Sequence, residues 1–218
     1  GLTLGKTATT TIIKLAIAGV AVMGGTAVVS SSVFASLTAT ATNTSGGSVT
    51  TGTLSLTQAA SGVAGITGGF TTAITAMAPG DTVNRYINLT NGGTLDAINP
   101  TLQLAAAPST ALTTNGTSGL QIAIKNCTVD WTNAGVCSGT QTTVLASTSA
   151  LSLASATALT LPSTLAGAVS HLQIGISLPA GSENVLNGVL PGGTVQGLTT
   201  ALTWTFNETE RTATSTNS

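Results

Sequence analysis

The chain has 218 residues, enough for one domain with a core of its own and too few for two of ordinary size. Charged residues make up 5%, aromatics 3% and hydrophobic residues 42%; the formal net charge is −1 and the mean hydropathy +0.45. The five Lys and Arg never cluster, which argues against a nucleic-acid partner, and so much apolar content excludes the low-hydropathy, high-charge signature of disorder.

Lys6 and Lys14 precede an apolar run over residues 15–29, followed by small residues and Val33-Phe34-Ala35. This is the layout of a secretory signal. It predicts a helical leader over residues 1–35, cut between Ala35 and Ser36, and a protein that is secreted or displayed at the cell surface. The run is shorter than the roughly 20 apolar residues of a membrane span, and Gly24-Gly25 weakens it as a helix. Left uncut, the segment would instead anchor a surface adhesin to the membrane or form a pilin-like stalk. The type IV pilin version needs a processing site just before the apolar run and an early Glu, and neither is visible.

Past the junction, Ser36, Leu37, Thr38, Ala39, Thr40, Ala41 and Thr42 alternate loosely and are short of large apolar side chains. They predict a strand that holds poorly to its own sheet and serves as an arm (residues 36–47, ending in an Asn-Thr-Ser-Gly-Gly link). The body of the domain is expected over residues 48–211, with a fraying tail at 212–218.

Within the body, residues 53–57 read as a strand and residues 65–76 as a β-prone run. Ala78-Pro79-Gly80-Asp81 is a turn, because Pro fixes φ and Gly tolerates positive φ. In the strand over residues 82–90, Val83, Ile87 and Leu89 share one face and Asn84, Tyr86 and Asn88 the other. Arg85 falls on the apolar face, where it is expected at a strand end or snorkelling to the rim towards Asp81. Residues 95–104 read as a strand broken at Pro100, suited to an edge or a bulge and not to a central position. Leu120, Ile122 and Ile124 alternate with Gln121, Ala123 and Lys125 in a half-buried strand that runs into Cys127.

Cys127 and Cys137 flank a polar loop holding Trp131, and behind a leader such a pair reads as a disulfide, with two free thiols as the alternative. A ring this short constrains the unfolded chain by roughly 3 kcal/mol. Trp131 is expected to pack rather than to stand exposed. Residues 142–168 are low-complexity Ala, Leu, Ser and Thr, with helix and strand equally open. In residues 169–178, Leu172, Ile174, Ile176 and Leu178 share a face, leaving His171 with Gln173 as solvated strand residues. Residues 182–189 read as a short helix and 191–193 as a turn. Leu198, Leu202, Trp204 and Phe206 line the apolar face of a last strand.

Short strands at regular spacing, punctuated by Gly and Pro, predict an all-β fold: an antiparallel jelly-roll or β-sandwich, with the leader helix and one or two short helices besides. Such sheets have edges. With almost no charged residues to block pairing, an open edge is a hazard or a docking site.

Phe34-Ala35 ahead of a short strand, a Gly-containing link and Gly52-Thr-Leu-Ser-Leu56 together resemble the start of the TasA/camelysin (CalY-like) proteins. The stretch from Pro79, Gly80 and Asp81 to Arg85, with the later Asn-Gly-Gly turn, is similar to that family's Pro-Gly-Asp strand, and the segment through Trp204 and Phe206 to its closing strand. The Cys127, Trp131, Cys137 insert resembles the version carried by actinobacterial members. Two features depart from the family: Ser36-Leu37 stands where aromatic residues are usual, and Thr and Ser, about 30% of the chain, replace a charged surface. The resemblance implies a jelly-roll subunit of extracellular biofilm-matrix fibres, polymerised by an N-terminal strand inserted into the neighbour's sheet. Its partners would be further copies of itself and other matrix components, with the membrane met only through the uncut leader.

Some members of that family are labelled metallopeptidases. A zinc peptidase of the familiar type needs two histidines one helical turn apart with a Glu as base; this chain has one histidine. Any Ser-His-acid triad would have to centre on His171. The carboxylates are scattered except Glu208-x-Glu210, which reads as a solvated strand end. A structural protein without catalytic residues, metal or cofactor is therefore expected, with a secreted peptidase as the remote alternative. Asn-x-Ser/Thr sequons begin at Asn43, Asn88, Asn115, Asn126 and Asn207, little more than such a Thr- and Ser-rich chain gives by chance, so the motif alone does not indicate glycosylation.

Overall fold

The computed structural model describes residues 27–28, 35–40, 54–61, 68–70, 74–75, 77–180, 186–212 and 214, with the backbone alone for 27–28, 35–40 and 60. Most of the expected leader helix, Ala41 and Thr42 of the arm, and the link and strand start over residues 43–53 lie outside the described residues.

Among the described residues, ten strands form two five-stranded sheets. In chain order they are β1 (Ala27–Val28), β2 (Ala35–Thr40), β3 (Leu56–Ala60), β4 (Thr82–Asn91), β5 (Ala97–Ala107), β6 (Gln121–Cys127), β7 (Gln141–Ser149), β8 (Thr157–Ala158), β9 (Val169–Ser177) and β10 (Ala201–Glu210). One sheet runs β1-β2-β10-β5-β8 and the other β3-β4-β9-β6-β7. From β4 onward the chain crosses between sheets at every step except the β6–β7 hairpin, which is jelly-roll connectivity. A single helical turn, α1 (Ala111–Thr114), and a 3-10 turn at Ser152–Ala154 are the helices of the described residues.

Period-two patterning decides which faces meet. Ile87 and Leu89 of β4, Ile122 and Ile124 of β6, and Leu172, Ile174 and Ile176 of β9 face Leu102 and Leu104 of β5 and Leu202, Trp204 and Phe206 of β10 in one buried core. Phe70 lies flat on Trp204, with ring centroids 4.6 Å apart. Strands over residues 82–90, 120–126 and 169–178 thus form with the faces expected of them.

Several expectations are corrected. Ala27–Val28, inside the expected leader helix, is a strand. Pro100 does lie at a bulge, but in a central strand: β5 sits between β10 and β8. The register passes from Thr101 opposite Asn207 to Ile98 opposite Thr209, so Asn99 and Pro100 together face Glu208. Asn99 adopts φ +52°, and the proline's missing N–H falls where the ladder is already interrupted. Residues 142–168, open between helix and strand in the sequence, resolve into all but the first residue of β7, the 3-10 turn and β8, with Leu153 and Leu159 reaching the core from short, irregular segments. In place of the expected helix over residues 182–189, the described part is a tight hairpin: Leu186 and Val189 bridge across Asn187 and Gly188, both at positive φ. Leu198 precedes β10 and stays 36% exposed instead of lining its apolar face.

Candidate functional site

Strand β2 contains the Ala35/Ser36 junction and five of the seven expected donor residues, Ser36, Leu37, Thr38, Ala39 and Thr40. It lies along β10 in parallel, from Ala35 opposite Trp204 to Thr40 opposite Thr209. Every other ladder among the described strands is antiparallel. Parallel neighbours need a crossover of a dozen or more residues, and between β2 and β10 lies almost the whole domain. The arm is thus an edge addition to β10, running against the sense of the surrounding sheet. On its outer side, β1 pairs with it at Ser36 and Leu37.

A second constellation sits on the outer face of the β3-β4-β9-β6-β7 sheet. Cys127 and Cys137 form a disulfide with Cα atoms 5.6 Å apart, as the sequence predicts, and the pair fits an oxidising, extracytoplasmic compartment. The stapled loop folds over β4 and β9. Trp131 is 2% exposed, packs at a tilt on Tyr86 and donates its indole N–H to the His171 carbonyl at 2.9 Å. Gln173 Nε2 donates to the Tyr86 hydroxyl and to the Gly135 carbonyl. Only glycine fits at position 135: its φ is +71°, and a Cβ there would lie 2.5 Å from the tyrosine oxygen.

The same loop brings Asp130 to His171. The imidazole Nδ1 lies 2.8 Å from Asp130 Oδ1 and 3.0 Å from Asn88 Oδ1. Both partners are acceptors, so Nδ1 carries the proton and donates. His171 is therefore half-buried and paired, not the solvated residue expected. Strand alternation had put Asn88 and His171 on one face; only the disulfide-closed loop adds Asp130. A histidine–carboxylate pair can orient a general base, yet no Ser or Thr hydroxyl among the described residues bonds to this ring. No cluster of three or more His, Cys, Asp or Glu occurs among the described residues either. Of the sequons, Asn126 is 2% exposed, which closes it to glycosylation.

Pro79, Gly80 and Asp81 form the expected turn: Gly80 has φ +96°, Asp81 N–H donates to the Ala78 carbonyl, and the Asp81 carboxylate accepts the Ala78 N–H at 2.8 Å. Arg85 departs from expectation. It is buried in the middle of β4, not at the rim, and its Nη1 donates to the Asn84 carbonyl. Burial lowers its pKa. Pro79, Arg85 and Trp204 line one cavity, whereas Phe206 is enclosed in the core.

Glu208 is likewise no solvated strand end. It lies 4% exposed on the core side of β10, opposite Ala39 of the arm, and its Oε2 has no hydrogen-bond partner. Burial pushes its carboxyl up to about 7. Between the ordinary 4.5 and about 7, the folded state keeps a proton that the unfolded chain has lost. Stability from this residue is therefore complete below 4.5 and declines as pH rises through about 7. A Glu208→Gln variant is expected to flatten that decline and to exceed the unmutated chain in urea midpoint at about pH 8. Parallel slopes for the two proteins across the range would refute this.

No helix among the described residues is long and apolar enough to cross a membrane. No protein-family model matches the chain, and no curated protein matches its sequence.

Proposed function

We propose that this chain is a secreted structural subunit of extracellular fibres, of the TasA/camelysin type, polymerising by donating its N-terminal strand to the neighbouring subunit. The observation that carries the proposal is the parallel β2–β10 ladder. A strand that reaches its place from outside the antiparallel order of the sandwich makes the same main-chain hydrogen bonds whether it comes from its own chain or from another copy. Its small and hydroxyl-bearing residues leave the backbone to supply most of the affinity. Donation from one copy to the next is a head-to-tail contact that does not close, so it builds filaments.

The leader supplies a control on timing. While uncut, β1 pairs with Ser36 and Leu37 on the outer edge of the arm; cleavage after Ala35 separates the two and releases the arm's N-terminus. The disulfide supports export, because such bonds persist in oxidising compartments.

Electron microscopy of the protein beginning at Ser36 is expected to show long fibres, and of a variant lacking residues 36–40 only monomers or amorphous material. A synthetic peptide of residues 35–42, added in excess, is expected to cap growth and shorten the fibres. Stable monomers of the chain beginning at Ser36, or fibres unaffected by the deletion, would overturn the proposal. Persistent membrane fractionation with residues 1–35 attached would favour an anchored adhesin instead.

A further inference from the structure

Asn91, Asn115 and Asn187 are the three asparagines followed by glycine, the neighbour that puts least bulk in the way when its backbone nitrogen attacks the asparagine amide. The fold treats them differently. Asn91 is 3% exposed; its Nδ2 donates to the Leu95 and Thr164 carbonyls, its Oδ1 accepts the Gly93 N–H, and the Gly92 N–H donates to the Ser55 carbonyl. Asn115 is half-buried, and its Oδ1 accepts the N–H groups of Thr117 and Ser118, each at 3.0 Å. Asn187 stands exposed at the tip of the Leu186–Val189 hairpin, where a Cβ added to Gly188 would meet nothing within 4 Å. We propose that Asn187 is a self-modification site, the one of the three that the fold exposes to reaction: the Gly188 nitrogen displaces the side-chain amide and leaves aspartate and isoaspartate in the turn.

Water is the only other reactant. The Gly188 nitrogen gives up its proton and bonds to Asn187 Cγ; the Cγ–Nδ2 bond breaks and ammonia leaves with the proton, closing a five-membered succinimide. Water then opens the ring at Cγ to give aspartate, or at the backbone carbonyl to give isoaspartate, in which the main chain runs through Cβ. Ring closure requires the turn to swing, so the ease of local opening sets the rate. At Asn187 the opening breaks the two backbone bonds between Leu186 and Val189, of 3.0 and 2.9 Å, in a two-residue loop exposed to solvent. At Asn91 it must also break the buried side-chain bonds and release the attacking Gly92 nitrogen from Ser55. Isoaspartate lengthens the turn by a main-chain carbon, which the tight pairing of Leu186 with Val189 does not accommodate. Either product places a carboxylate beside the exposed Leu186 and Val189, in a stretch (residues 186–200) with no charged residue of its own. The inference does not depend on strand donation.

Peptide mapping by mass spectrometry of the full chain, incubated at neutral and at alkaline pH, tests it. Asn187 is expected to be converted at least roughly tenfold faster than Asn115 and Asn91, whose hydrogen bonds must open first. The rate is expected to rise at alkaline pH, because the attacking nitrogen reacts as its anion, and an isoaspartate-specific methyltransferase is expected to label the product. In guanidinium chloride, where all three pairs belong to an unfolded chain, the three rates are expected to converge. Asn187→Gln, whose ring would have six members, is expected to abolish conversion at that position and to leave the urea midpoint unchanged. Conversion of Asn91 or Asn115 as fast as Asn187 in the folded chain, a preference for Asn187 that persists in guanidinium chloride, or no conversion at Asn187 while the denatured chain reacts would overturn the proposal. The three sites are compared within one unmutated chain, so the result does not rest on the folding of a variant.

Discussion

Replacing Trp204 with alanine is expected to destabilise the domain by about 3–5 kcal/mol. Trp204 is fully enclosed in the middle of β10, paired with Leu104 on one side and with Ala35 of the arm on the other. It lies on Phe70 with a 7° angle between rings. Truncation removes the transfer energy of the indole, adds the cost of the residual space, and strips Phe70 of its stacking partner. The space also joins the cavity beside Arg85, which Trp204 lines, so water entry would limit collapse of the surrounding side chains. Trp204→Phe, which keeps a ring in the stack, is expected to lose less than half as much. Urea unfolding read by circular dichroism measures both. A loss under about 1 kcal/mol for the alanine variant would mean that the two sheets do not depend on this contact for their packing.

The second large effect is expected from Cys127→Ser with Cys137→Ser, which should cost about 3 kcal/mol. The two cysteines are 10 residues apart in sequence, and closing a ring of that size removes chain entropy from the unfolded state without adding a contact to the folded one. The loop it closes also holds Trp131 over Tyr86 and Asp130 on His171. Loss of the staple should therefore shift Trp131 emission towards that of an exposed indole before the sandwich melts. A Trp131→Phe variant separates the two contributions: the disulfide stays, the hydrogen bond to the His171 carbonyl goes, and about 1 kcal/mol should be lost. If reduction leaves both the urea midpoint and Trp131 emission unchanged, the loop is held by its side chains and not by the disulfide.

Much of the sandwich was legible because a half-buried strand imposes a period of two that no other element shares. Ile122 and Ile124, and Leu172, Ile174 and Ile176, could face only one way once written as strands, and all are buried. The Pro79-Gly80-Asp81 turn and the Cys127–Cys137 bond follow from local chemistry in the same manner. Pro100 was misjudged as unsuited to a central strand because its tolerance depends on a bulge created jointly with β10, 108 positions away at Glu208. The short helix expected over residues 182–189 rested on local propensity, which a two-residue turn at Asn187-Gly188 overrode.

Alternation, turn residues and paired cysteines by themselves determined an all-β fold, its inward faces and its single staple, because each is a property of neighbours along the chain. Only the tertiary structure decided that Arg85 and Glu208 are buried, that His171 meets Asp130, and that the N-terminal arm lies parallel on β10. Those outcomes depend on which distant segments close over a given position. A strand's sequence states which side chains share a face, but not what will cover that face or which chain will supply its neighbour.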